Sequence, residues 1–467
     1  MSVSSHPHRS SQVRHSHRAA CSTVISLLIA CISVIGAQAY RQAELPHHSW
    51  DSTKAQNMAA NGSFVIRQAR IFDGQKIISA DSVFVLNGRI QAIGKNLQVP
   101  TGTAEIQAGG ETLLPGLIDS HTHDWGDSPK QALLFGITTE LNMGGNPKFV
   151  AEVKQAAADG KHSDSASLLS AGNVVTPPKG HGTEYGVQVP TLTSAAEAQS
   201  FVDARIAEGS DYIKIIYEDG HLCHFTFSKL SPEELTAAVT AAHRRGKIAV
   251  VHISSQADAR AAISAGADGV AHLFADSAPQ PDFAQFVHRH HAFVMTTLTA
   301  IQSSLGTVSG ESLIADKRLA KYLSTDTRSH MTESLPVLCS GKLENALAAA
   351  KQLHQAGVPV LAGTDAPAPG SSNGVSLHGE LELLVRSGFS ASDALAAATS
   401  LPASVFQLSD RGRIAPGLRA DLLLVHGDPS QDITATRDIV DVWKLGVRES
   451  RPGDDVGGTI AFPFHAR

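Results

Sequence analysis

Two histidines stand two residues apart, His121 and His123, in the stretch PGLIDSHTHDWG. On a β-strand, positions i and i+2 project to one face, so both imidazoles address a single spot. Four further residues of metal-ligating or carboxylate-forming type lie in or close apolar, β-branched runs elsewhere. They are Lys214 in YIKIIY, His252 in VVHIS, His272 in AHLF and Asp365 in AGTDA. Taken singly, most have an ordinary explanation. The chain holds 23 histidines, so most of them are surface or loop residues, and an Asp before a helix commonly caps it. Lys214 resists that explanation, because a lysine flanked by Ile213, Ile215 and Ile216 is rarely buried unless something compensates its charge. Neutral imidazole and carboxylate oxygen suit borderline divalent ions such as zinc, and two such ions side by side need a bridging anionic ligand. Unmodified lysine is a cation at neutral pH and cannot bridge them. Lysine carboxylated by carbon dioxide can, since its carbamate offers an oxygen to each ion.

The elements that must position these six residues follow from the surrounding rhythm. Helix-like segments end near a glycine and a β-branched run follows in LLFGITTELNM, ARIAEGSDYIKIIY, AAHRRGKIAVVHIS, AISAGADGVAHLFA and LHQAGVPVLAGTDA. Glycine supplies the left-handed residue that closes a helix, and the continuous apolar run suits a strand buried on both faces. FVHRHHAFVMTTLTA keeps the rhythm without the glycine, and LLPGLIDSH and SASLLSAG bring the strand count to eight. Eight βα units predict an α/β fold, a (β/α)8 TIM-like barrel whose working end is the C-terminal face of its strands. Strands one, five, six and eight would then deliver His121 and His123, His252, His272 and Asp365 to that end, and strand four carries Lys214. The segment from about Gln302 to Gly341 is too long for a simple loop and is expected to cap the mouth or hold extra helices.

The chain ends read differently. GSFVIRQARIFDG, DSVFVLNGRIQAIG and TAEIQAGGETLLPG are short β-rich runs with Gly, Asp-Gly and Asn-Gly turns, and a similar pattern returns in GRIAPGLRADLLLVHGDP and IVDVWKLGVRES. The two ends are expected to pair into one small antiparallel β-sandwich domain. The resulting map is 1–39 signal peptide, 40–62 flexible lead-in, 63–112 and 408–450 small β domain, 113–407 barrel domain and 451–467 C-terminal tail.

The first 39 residues carry Arg9, Arg14 and Arg18, no acid, and the apolar run Thr23 to Ile35, followed by Ala37, Gln38 and Ala39 as a small-x-small cleavage site. At 13 residues this run is shorter than the roughly 20 needed to cross a bilayer, so export to the periplasm or medium is expected rather than a membrane span. LIAC (Leu28 to Cys31) resembles a lipoprotein box, but Ile32, Val34 and Ile35 after it stay apolar, which favours the soluble exported form. The full chain of 467 residues has a formal net charge of -6; without the leader, 35 basic residues face 44 acidic, or -9. Such a balance argues against nucleic acid as the main partner. A small-molecule substrate is expected, and a homo-oligomer is compatible with the sequence. Cys223 and Cys339 would remain after cleavage, and nothing in the sequence shows that they meet.

With these motifs assembled, the chain resembles the amidohydrolase superfamily, in particular members similar to imidazolonepropionase and the Xaa-Pro dipeptidase-like enzymes. The resemblance rests on PGLIDSHTH, YIKII, VVHIS, AHLF and AGTDA, followed by LHGELELLV and GRIAPGLRADLLLV, and runs from about Ser63 to Glu449. It implies that His121, His123 and Asp365 hold a buried metal ion, that His252 and His272 hold a more exposed one, and that carboxylated Lys214 bridges the pair, zinc being the default ion. It further implies a shared hydroxide as nucleophile, with Asp365 taking its proton and passing it to the leaving nitrogen. One-metal members of the superfamily lack the strand-four lysine and carry an acid three or four positions after the strand-five histidine. This chain has Lys214, and Ser255 and Gln256 where that acid would be.

The implied activity is hydrolysis of an amide-type C–N bond in a small molecule or dipeptide. Hydrolysis of a lactone or ester on the same site, or an inactive relative that only binds, are the alternatives. His181, in the loop PPKGHGTEYG, resembles a substrate-facing GHG loop, and Tyr217 could donate a hydrogen bond to the substrate carbonyl. His221, Cys223 and His224 lack a second ligand pair nearby and receive no role, and His378 is expected to support the helix after strand eight.

Overall fold

Short β-rich runs at both ends of the chain pair with one another across most of its length. The computed structural model describes residues 63–159, 164–186, 188–333 and 339–451. The leader, Cys31 and the lead-in lie outside them, as does the C-terminal tail beyond Arg451. Seven strands come first: β1 (Phe64–Arg67), β2 (Arg70–Phe72), β3 (Ile77–Ile78), β4 (Ser82–Leu86), β5 (Arg89–Gly94), β6 (Ala104–Gln107) and β7 (Thr112–Pro115). Eight more follow: β8 (Leu117–Thr122), β9 (Ile137–Asn142), β10 (Ser167–Ser170), β11 (Ile213–Ile216), β12 (Ala249–His252), β13 (Gly269–Ala271), β14 (Phe293–Met295) and β15 (Val360–Leu361). The last three are β16 (Leu422–Val425), β17 (Ile439–Lys444) and β18 (Val447–Arg448).

Strands from the N-terminal end form a four-stranded sheet, β5-β4-β1-β6, and strands from both ends a six-stranded sheet, β18-β17-β16-β7-β2-β3. Apolar residues of both sheets share one buried cluster in which Phe64 of β1 stacks on Trp443 of β17 at 5.6 Å between ring centroids. The pairing is not purely antiparallel as expected: β1 runs parallel to β6 and β2 parallel to β7. Each of those pairs is joined by a long connection that re-enters the sheet in the same direction, which a hairpin cannot do. The motif LLPGLIDSH, read as one strand, is two. Gly116 separates β7, which pairs with β16, from β8, which pairs with β9. A Cβ at Gly116 would lie 2.3 Å from the Thr138 side chain, so the chain can bend there only without one.

The eight middle strands coincide with the eight expected runs, and all observed pairings among them are parallel. They form a mixed α/β arrangement of a three-stranded sheet, β10-β9-β8, and a five-stranded sheet, β11-β12-β13-β14-β15. This differs from the expected single closed ladder. Single parallel bridges, Thr122 to Ala366 and Val175 to Ile215, join the two sheets. At the first junction a side chain adds to the backbone bonds: the Asp119 carboxylate accepts hydrogen bonds from the His121 and Thr364 backbone N–H groups and from the Thr364 hydroxyl. Alternation then sorts the strand residues. Ile118, Leu141, Val250, Ala271, Met295 and Leu361, drawn from both sheets, share one buried cluster, whereas Leu117, Ile213, Ile215, Val251 and Val294 pack with the helices.

The segment from Gln302 to Gly341 holds short helices at Glu311–Ala315, Lys317–Ala320 and Thr325–Met331, as expected. No helix among the described residues is long and apolar enough to cross a membrane. His378, in the helix Val375–Arg386, is buried between Thr436 Oγ1 at 3.0 Å and the Phe135 carbonyl at 3.1 Å, so it ties that helix to its neighbours.

β8 and the residues after β15 approach so closely that a Cβ on Gly363 would lie 2.8 Å from His121 Cβ and 2.9 Å from His121 N. Backbone cannot yield as a flexible side chain does, so Gly363→Ala is expected to cost about 1–3 kcal/mol and to displace His121. Denaturant unfolding of the variant checks this; an unchanged midpoint would show that the contact is softer than the geometry implies.

Candidate metal centre

The strand ends deliver the expected side chains to one place. Asp365 Oδ1 lies 3.2 Å from His121 Nε2 and 3.2 Å from His123 Nε2, while Lys214 Nζ lies 3.3 Å from His121 Nε2. The His121 and His272 ring centroids are 4.7 Å apart, and those of His272 and His252 4.4 Å apart. All six residues predicted to bind metal therefore belong to one contiguous cluster. Two sets of possible ligand atoms, those of His121, His272 and Asp365 and those of His181, Glu218 and His252, each fall within 4.8 Å of one another.

Local backbone conformation serves this placement. His272, Thr297 and Asp365 have φ of 75°, 47° and 59°, the left-handed region that non-glycine residues seldom enter. Such residues cost on the order of 1–3 kcal/mol each and persist where surrounding structure holds them. The holding groups are visible. The Glu380 carboxylate accepts from the backbone N–H groups of Leu298 and Thr299 and from the Thr296 hydroxyl, fixing the residues on both sides of Thr297. His121 O accepts from Asp365 N at 2.7 Å.

Ring nitrogens follow a common pattern. His123 Nδ1 donates to the Gly144 carbonyl at 2.8 Å, His272 Nδ1 lies 2.8 Å from Thr297 Oγ1, and His252 Nε2 lies 3.0 Å from Glu218 Oε1. Each contact engages one nitrogen and leaves the other to take a cation, which is how histidine ligands are oriented at metal sites. His121 departs from the pattern, since its buried Nδ1 has no partner among the described residues. The donor set thus fits divalent ions: four imidazoles, three of them with one nitrogen engaged elsewhere, and carboxylates interleaved between them.

The electrostatics agree. Burial, with the Lys214 charge adding to it, pushes His121 down to about 3 and so keeps it neutral. Burial and His252 hold His272 well below the usual imidazole range. Burial alone would raise Asp365, but His121 and the hydrogen bonds of His121 and His123 outweigh it and hold the carboxylate well below its usual range. Burial lowers the Lys214 ammonium to about 7.

Other predicted residues divide. His181 joins the cluster: its ring stacks on His252 at 5.0 Å and its Nδ1 lies 3.0 Å from Glu218 Oε1. Tyr217 does not. It lies in the apolar layer between strands and helices, with Lys229 Nζ 4.2 Å from its ring centroid, because residue 217 falls on the opposite strand face from Lys214. Glu218, which sequence reasoning missed, falls on the Lys214 face four positions along, a signal that alternation alone could have supplied. Ser255 and Gln256 sit at the start of the helix Gln256–Ser264, where Ser255 accepts from Asp258 N as an N-cap and Gln256 bonds Ser277 and Ala278. His221 pairs with Asp219, and Cys223 forms a disulfide with Cys339 that staples the loop after β11 to the segment before the helix Leu343–Gln355.

Comparison with known proteins agrees with this geometry. The chain is 28% identical over 386 residues to the imidazolonepropionase of Deinococcus radiodurans, covering 77% of this chain and 89% of that one. It is 25% identical over 396 residues to the ochratoxinase of Aspergillus niger, covering 73% and 76%. Among solved structures, a Xaa-Pro dipeptidase with bound methionine superposes with a TM-score of 0.67 at 21% identity, covering 83% of this chain and 99% of that one, a likeness of fold. The model of the amidohydrolase family matches residues 112–448, a span from β7 to β18 that holds every residue of the cluster, and the chain belongs to that family.

Proposed function

We propose that this protein is an exported, metal-dependent amidohydrolase that cleaves an amide-type C–N bond of a small molecule or dipeptide. The observation that carries the reading is the Asp365 carboxylate, ionised and equidistant from His121 Nε2 and His123 Nε2 at the end of a parallel sheet. His121, His123 and Asp365 would hold one divalent ion, His252 and His272 a second, and Lys214, carboxylated, would bridge them; zinc suits this nitrogen and oxygen donor set. Bound there, the ions would lower the pKa of a water and polarise the acyl carbonyl. Asp365 would take the proton of that water and hand it to the leaving nitrogen.

The amine of Lys214 supports its own modification. Carbon dioxide reacts with neutral amine, and burial brings Lys214 down to about 7, so the reactive form accumulates as pH rises through neutrality. The cluster shared by strands of both parallel sheets and the bridges at both junctions support a closed (β/α)8 barrel around this site. Pairing of β16 with β7 supports a small β domain built from both chain ends. The Cys223–Cys339 disulfide supports an oxidising, exported location.

Metal analysis of the purified protein is expected to give close to two divalent ions per chain, and a screen against dipeptides, N-acyl amino acids, cyclic amides and lactones is expected to favour amides. Asp365→Asn should lower kcat/KM by about 10²–10⁴-fold; activity persisting in that variant would refute the proton shuttle. For Lys214, bicarbonate should raise metal loading more at pH 8 than at pH 6, because protonation below about 7 removes the reactive amine. Lys214→Ala should lose bridged metal and recover part of it with added short carboxylic acids, and full activity without that rescue would count against the carbamate.

A further inference from the structure

Glu218 links His252 to His181 within the second set of possible ligand atoms. It is 5% exposed, and its Oε1 is 3.0 Å from His252 Nε2 and 3.0 Å from His181 Nδ1. A carboxylate oxygen this close to two ring nitrogens can face both as an acceptor, each nitrogen then carrying a proton. The two rings stack at 25° on the same carboxylate, and His181 is further flanked by Glu184 Oε1 at 3.3 Å from Nδ1 and by the Phe227 ring at 5.2 Å. His252 is thereby left with Nδ1 as its basic nitrogen and His181 with Nε2.

We propose that Glu218 is a positioning residue that fixes the tautomer and ring orientation of His252, the ligand of the second cation, and of His181, the substrate-facing histidine, through one shared carboxylate oxygen. Metal binding and substrate contact are coupled by that sharing, because any shift of the carboxylate moves both rings. The inference rests on the metal-centre reading above and adds to it a residue outside the expected ligand set. His181 acts here as the substrate-side partner and not as a ligand.

Cobalt(II) titration of the full-length protein, followed by its visible absorption and by calorimetry, separates the possibilities. In Glu218→Gln the shared acceptor becomes a neutral amide oxygen that holds both ring N–H groups less strongly, so the affinity of the second cobalt is expected to fall about 10–100-fold while the first is retained. Retention of the first ion shows that the variant is folded. Glu218→Asp should recover part of the loss, and KM should rise in both variants. His181→Asn should raise KM and leave the second cobalt affinity within about threefold. Unchanged cobalt binding and spectrum in Glu218→Gln would overturn the assignment alone. Loss of the second cobalt in His181→Asn would overturn it in favour of direct ligation by His181 and Glu218. Absence of cobalt binding in the unmodified protein would overturn the metal centre and this inference with it.

Discussion

Burying the Lys214 amine beside imidazoles is the constraint on which the site depends. Its neighbours along β11 are Ile213, Ile215 and Ile216, its amine lies 3.3 Å from His121 Nε2, and the favourable charge acting on it is that of Asp365. A cation so placed loses hydration that these contacts do not restore, and the protein answers by bringing the group close to neutrality. The carboxylation proposed above would go further. It would replace a positive charge with a negative one at the spot where four imidazoles and a carboxylate present basic atoms, so the least comfortable residue of the bare protein would become the bridge between bound cations.

The surrounding scaffold then has to keep strained backbone in place. His272, Thr297 and Asp365 all adopt left-handed conformations, and each stands next to a group that anchors it. Glu380 reaches from the helix Val375–Arg386 to the residues either side of Thr297, whose hydroxyl meets His272 Nδ1. Asp119 fastens β8 to the chain after β15, beside Asp365. The carboxylates behind the site therefore work on the backbone, and through it on the ligands.

How much of this was legible in the sequence depends on whether the signal was local. The eight parallel strands could be read because each buried run is apolar and ends at a punctuating residue, five of the ligand-type residues because they sit at the same end of those runs, and Lys214 because it interrupts a run of isoleucines. The split at Gly116 was hidden, since it depends on the side chain of Thr138. So were the parallel β1–β6 and β2–β7 pairs, because strand direction at the chain ends is set by crossovers rather than composition. Tyr217 was chosen for its hydroxyl when its strand face already excluded it, and Glu218 was passed over when its strand face already included it. The Cys223–Cys339 contact needed the third dimension, since 116 residues separate the partners.

Charge is also sorted by depth. Burial pushes Asp119 up to about 8, Glu380 up to about 7 and Glu140 well above its usual range, so these carboxyl groups behind the cluster tend toward the neutral form. Glu218 and Asp365 go the other way. Burial alone would raise them too, but the imidazoles beside them outweigh it, bringing Glu218 to about 2 and holding Asp365 well below the usual carboxylate range. Environments that drive carboxyl pKa values apart assign roles. The neutral groups can be hydrogen-bonded into the frame without repelling one another, and the negative charge gathers at the two points where basic nitrogen atoms converge. A protein that had ionised all five would repel itself at the site's floor; one that had ionised none would offer cations nothing but imidazole. The partition leaves the carboxyl groups behind the cluster nearer neutrality than the two that face imidazoles.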